Sequence, residues 1–272
     1  MNPSERPGRG TREPPSGPSS DVLESGEIYF FYRPRVRSPE SVAENEKQTE
    51  GLQDVQRFFL ILHPRGTRLY RRVVVGRKKL PDVTGERFWG FVDQVSQEPE
   101  PIREELQPER YSAATRGERL QPGARPAGEG VYALVRHGEH THLAYRLELP
   151  EEPGEVQRDL EIKPEASYVV AVKNPDAPTP PGVGLSESEE PEFPPRLQEQ
   201  FRGRRFIAAD PALLEREGAE IILIGADEDV PGELGIELRP EHETLETAEI
   251  FRDLSLPRRG VPTEPLTEGS WR

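Results

Sequence analysis

QRFFLILHPRGTRLYRRVVVGRKKLP, Gln56 to Pro81, is the stretch from which the fold is read. Two dense apolar runs, Phe58–Leu62 and Val73–Val75, flank Pro64-Arg65-Gly66-Thr67. Short runs of β-branched and aromatic residues on either side of turn chemistry predict a β-hairpin. On the return strand, alternation places Leu69, Arg71, Val73 and Val75 on one face and Tyr70, Arg72 and Val74 on the other. Neither face is wholly apolar before Val73, so the hairpin tip is expected to project from the core with its arginines in water. The stretch also carries eight cationic side chains (Arg57, Arg65, Arg68, Arg71, Arg72, Arg77, Lys78, Lys79) and no acidic one.

Further strands lie on both sides of this hairpin. EIYFFYRPRV (Glu27–Val36) opens with consecutive β-formers and predicts a strand buried on both faces at its start, with Pro34 marking its exit. RFWGFVDQV (Arg87–Val95) predicts another, in which Gly90 between aromatics marks a bulge or a close backbone approach. Val131–Arg136, His142–Leu149 and Ala166–Lys173 then repeat the order hairpin, connector, strand. The fold class expected is mainly β: an antiparallel sandwich or partly open barrel, built from two similar hairpin-plus-strand units, with a small α+β C-terminal segment. In that segment Arg204–Ala209 is a short strand. Asp210 and Pro211 open a short helix that Gly218 follows, and Ala219–Ala226 is the most apolar strand. Gly235–Leu238 predicts a short strand and Glu241–Leu254 a helix with apolar residues at helical spacing.

Composition divides the rest of the chain. Residues 1–20 are rich in Pro, Gly, Ser and Arg and read as a disordered arm. The β domain is expected over 21–175, interrupted by a flexible polar insertion at about 97–128. A proline-rich acidic linker follows at 176–200, the α+β segment at 201–256 and a loose tail at 257–272, with Trp271 as its anchor. The hydrophobic fraction of 33% and mean hydropathy of -0.77 fit a folded core separated by solvated segments. With no cysteine, disulfides, thiolate metal sites and cysteine nucleophiles are excluded. Apolar runs fall far short of the ~20 residues a membrane helix needs, and the first residues hold no apolar signal core. A cytoplasmic protein without membrane contact is expected.

The net charge of -14 is unevenly spread. Residues 1–96 hold 16 basic and 13 acidic side chains, whereas 97–272 hold 20 and 37. Such asymmetry points to a basic face that meets an acidic partner segment or the chain's own acidic stretches. The candidate binding residues are Arg65, Arg68, Arg71, Arg72, Arg77, Lys78 and Lys79. Phe58, Phe59 and Tyr70 beside them make nucleic acid the second candidate partner, although no RNA- or DNA-binding signature accompanies them. His137, His140 and His142 in HGEHTH are the only metal-ligand candidates, and the basis of a third reading as a metal-dependent hydrolase; a polar hairpin tip accounts for them as well. Nucleotide-binding loops and a G-x-S-x-G elbow are absent. The expectation is a non-catalytic interaction protein that needs no cofactor.

Overall fold

Alternation between two apolar environments shapes the strands. A computed structural model describes residues 20–36, 49–113, 117–178, 190–257 and 261–271. The expected disordered arm and the centre of the proline-rich linker fall outside these ranges. The strands are β1 (Ser20–Pro34), β2 (Val55–Pro64), β3 (Tyr70–Val75) and β4 (Arg87–Ser96). After helix α1 (Pro99–Leu106) come β5 (Glu109–Ala113), β6 (Gly117–Gln121), β7 (Arg125–His137) and β8 (His140–Leu149). Helix α2 (Glu155–Leu160), β9 (Glu165–Lys173), helix α3 (Pro195–Gln198) and β10 (Phe206–Ala208) follow. The chain continues through α4 (Pro211–Leu214), β11 (Glu220–Asp227), α5 (Val230–Leu234), α6 (Glu249–Asp253) and α7 (Glu264–Thr267).

Eight of these strands close into an antiparallel barrel in the order β1-β2-β3-β4-β11-β9-β8-β7, with β7 returning to β1 and β10 added beside β9. Phe30, Phe58, Leu60, Tyr132, Tyr145 and Tyr168 fill the interior, as expected for a barrel of this size. One mouth is closed by Val156 and Leu160 of α2 and by Trp271, which meets Tyr32 edge-on at 5.1 Å. The other is closed by Phe201 and by Leu213 and Leu214 of α4. Outward-facing residues of the same strands are also buried. Tyr29, Phe31, Phe59 and Ile61 lie under α1 and the C-terminal stretch, and Val131 and Ala133 lie under α5. Burial on both faces is why β1 and β2 read as continuous apolar runs. Among the described residues no helix is long and apolar enough to cross a membrane.

The mainly-β expectation is met, and the barrel is closed rather than partly open. Its closing strand comes from the C-terminal α+β segment: Ile222 of β11 pairs with Trp89 of β4 on one side and Ala171 of β9 on the other. Gly90 is a close approach, since a side-chain carbon there would lie 2.7 Å from the Val74 carbonyl oxygen. The two similar units, β2-β3-β4 and β7-β8-β9, run around the barrel in opposite senses from β1 while their first strands point the same way. No rotation superposes them with their inner faces matched, so their likeness is one of burial pattern only.

Several stretches read as loops carry structure. The polar insertion holds α1, started by Pro99 and seated by buried Ile102 and Leu106, and the β5–β6 hairpin. Pro126 lies within β7 at a register shift opposite Phe30 and Phe31, the kind of irregularity at which a strand tolerates proline. In the outer part of the linker Leu197 is buried, and Trp271 anchors the tail through Nε1–H donated to Asp159 (3.0 Å). Asp210 caps α4 as expected, accepting from the Ala212 amide at 3.0 Å. The predicted helix over 241–254 is reduced to α6. The Thr247 hydroxyl accepts from the Thr244 amide and donates to the Thr244 carbonyl, and Glu148 accepts the Glu241 amide, so side-chain bonds hold the chain ahead of α6. Residues 235–238 form no strand; Gly235 ends α5 with φ of 65°.

Candidate functional site

The seven cations of the basic hairpin do not share a surface. β3 separates Arg65 and Arg68 from Arg77, Lys78 and Lys79 by roughly 17 Å of extended chain. Arg65 pairs with Glu27 at 2.9 Å, which holds its guanidinium above the usual arginine range, and Arg68 stands 3.7 Å from Glu98. At the other end Lys79 meets Glu161 (3.6 Å) and Glu86 (3.8 Å), Lys78 donates to the Val55 carbonyl at 2.7 Å, and Arg77 is exposed. Burial and the nearby Arg35 lower the Lys78 ammonium.

Arg71 and Arg72 are not in water at a projecting tip. Arg71 is fully buried inside the barrel, where the same nitrogen donates to Glu24 and, at 3.3 Å, to the Tyr132 hydroxyl. Arg72 points outward, makes two 2.9 Å bonds to Asp93 across the β3–β4 pair, and lies 5.5 Å over the Phe59 ring. Alternation assigned both faces correctly; a charged side chain on the inward face still has to be matched by an inward carboxylate.

Arg72 belongs instead to a groove of about 420 Å³ between the outer wall of β1–β3 and the α1 to β5 connection. Its floor is Arg33, Arg57, Phe59 and Arg72, and its facing wall carries Glu104, Glu105 and Glu109. Arg33 and Arg57 are directly opposite one another on β1 and β2. Like charges at that position are destabilising. Arg33 is held by neutral oxygens, donating to the carbonyls of Pro122 (3.0 Å), Gln107 (3.3 Å) and Glu105. Burial, then the charge of Arg72, and less strongly that of Arg57, push its guanidinium below the ordinary arginine range. Three guanidiniums therefore line one groove: Arg72 is paired with Asp93 and stands 3.8 Å from Glu105 of the facing wall, while Arg33 and Arg57 face one another.

No family model, curated protein or solved structure matches this chain.

The histidines part company. His140 is exposed, while His142 is buried with Nδ1 3.5 Å from Glu233 of α5; burial, then His137 and His140, lower its imidazole to about 4. His137 bonds Ser20 through Nδ1 at 2.9 Å, and its ring lies 6.0 Å from that of His142. Among the described residues no three histidine or carboxylate side chains converge as a metal site would require. Sequence reasoning did not reach Arg33, which reads as the fading end of a strand before Pro34. Its importance comes from the register that sets it against Arg57, and no local signal carries register across the intervening residues.

Proposed function

We propose that this is a non-catalytic cytoplasmic binding protein that takes an acidic segment of a partner protein in the groove of Arg33, Arg57 and Arg72. The observation that carries the reading is the like-charged pair Arg33–Arg57, placed opposite one another with Arg72 near enough to disfavour the charge on Arg33. A carboxylate between them would turn a repulsive arrangement into charge-assisted hydrogen bonds. The acidic wall narrows the partner further. Glu104, Glu105 and Glu109 repel a continuous polyanion, so the groove suits an isolated aspartate or glutamate in an otherwise uncharged peptide better than RNA or DNA. The chain's own acidic residues take up most of the remaining hairpin cations, which supports restricting the site to this groove.

Fluorescence anisotropy tests this with three labelled probes: a short Gly/Ser peptide with one central Asp, a poly-Asp peptide, and single-stranded RNA. The single-Asp peptide should bind tightest, and Arg57→Glu should weaken it by about tenfold or more, the worth of a charge-assisted contact. Failure of that peptide to bind, or RNA binding more tightly with steep salt dependence, overturns the proposal.

A further inference from the structure

A second cluster lies elsewhere on the barrel wall, beneath the C-terminal stretch. Ile250, Phe251 and Leu254 cover the outward apolar face formed by Tyr29, Phe31 and Ile61. The stretch is fastened by two barrel carboxyl groups. Glu129 of β7, fully buried, accepts the amides of Glu249 (2.7 Å) and Ile250 (3.2 Å), one on each oxygen. Glu148 of β8 accepts the Glu241 amide at 2.5 Å. Tyr29 and Tyr70 add hydroxyl bonds to the Asp253 side chain (2.8 Å) and carbonyl (3.0 Å).

Charge is poorly balanced at this seam. β1 contributes Glu27, β7 and β8 contribute Glu129 and Glu148, and the strap contributes Glu241, Glu243, Glu249 and Asp253. The facing cations are Arg65, bonded to Glu27, and Arg252, bonded to Glu249 and Asp253, with the His63 ring 3.9 Å from Asp253. Among the described residues none of Glu129, Glu148 and Glu243 stands in an ion pair. Glu243 is 9% exposed, and its buried Oε2 has no hydrogen-bond partner. Three carboxyl groups thus sit out of water with no cation to offset them.

We propose that residues 241–256 form a pH-dependent strap, seated on the barrel while Glu129 and Glu148 hold protons and released when both ionise, which uncovers the apolar outer face of β1 and β2. The proton affinities agree with the geometry. Burial outweighs the amide bonds and raises Glu129 from 4.5 to about 8, and burial likewise raises Glu148 to about 7. Raised carboxyl groups bind more protons in the seated state than in the released state. Seating is therefore strongest toward pH 4.5 and is lost as pH climbs through about 7 and 8. Between pH 6 and 8 Glu129 weakens the seated state by roughly fiftyfold and Glu148 by roughly tenfold, about five-hundredfold together.

Hydrogen exchange at the Glu249, Ile250 and Leu254 amides tests this at pH 6 and pH 8, after correction for intrinsic exchange. Protection of these three should fall by about a hundredfold or more while the barrel amides of Leu60 and Tyr132 hold steady. In Glu129→Gln/Glu148→Gln the difference between the two pH values should disappear. A merely structural role for the two carboxyl groups would lower protection equally at both pH values and leave the wild-type difference intact. Should the double variant not fold, Glu148→Gln alone should shrink the difference by about tenfold. Equal wild-type protection at the two pH values, or an unchanged difference in the glutamine variants, overturns the proposal.

Discussion

Arg71→Ala is expected to destabilise the protein by about 3–5 kcal/mol, the cost of breaking a buried ion pair by removing one partner. At roughly 2–4 °C per kcal/mol for a chain near this size, the melting temperature should fall by about 6–20 °C. Arg71 is fully buried and bonded to Glu24, and the Tyr132 hydroxyl donates to the same Glu24 oxygen at 2.6 Å. Alanine would leave that carboxylate at the barrel mouth without its cation, and a cavity where the guanidinium lay. The paired substitution Arg71→Met/Glu24→Leu should recover at least half of the loss, since a buried ion pair replaced by apolar groups of similar volume is often neutral or stabilising. Denaturant melts of the two single variants and the double variant give the coupling directly. A loss below about 1 kcal/mol for Arg71→Ala would mean that the guanidinium reaches solvent and makes no buried pair.

Arg71 also marks the limit of what the sequence discloses. Its face was legible: alternation groups it with Val73 and Val75, and that face points into the barrel. Its environment was not, because an inward arginine depends on Glu24, 47 positions earlier, and on Tyr132, 61 positions later. The apolar strands were legible for the same local reason, as were the Asp210–Pro211 helix start and the glycine of close approach at Gly90. In 97–128 the sequence allows one helical turn at Ile102–Leu106; the longer α1 that these two buried residues seat, and the β5–β6 hairpin, were not legible in so polar a stretch. The groove was half legible. Arg57 and Arg72 lie in the conspicuous basic stretch, whereas Arg33 joins them only through the β1–β2 register. The carboxyl groups of the strap were hidden by abundance, since 50 acidic residues give no reason to single out Glu129 or Glu148.

Ile222→Pro should abolish the folded barrel altogether rather than detach a C-terminal lobe. Ile222 sits mid-strand in β11, paired on both sides, so proline would remove a ladder donor and force its ring between two neighbouring strands. The local cost is about 3 kcal/mol or more, against a total stability of roughly 5–15 kcal/mol for a typical protein. Barrel closure multiplies the effect. β11 is the only bridge between β4 and β9 among the described residues, and its loss would expose two long apolar edges together with the Phe88 and Val170 face. It would also displace Glu220 from the fully buried ammonium of Lys173, 2.8 Å away, leaving that charge with Glu190 at 3.5 Å. The expected result is loss of exchange protection at Phe30 and Leu60, on the far side of the barrel, along with that at Leu223. Ile222→Val, which keeps a β-branched side chain and the amide, should cost only about 1 kcal/mol. Native protection persisting at Phe30 and Leu60 in the proline variant would mean that the remaining strands hold together without closure, and that the C-terminal segment is a satellite of the fold.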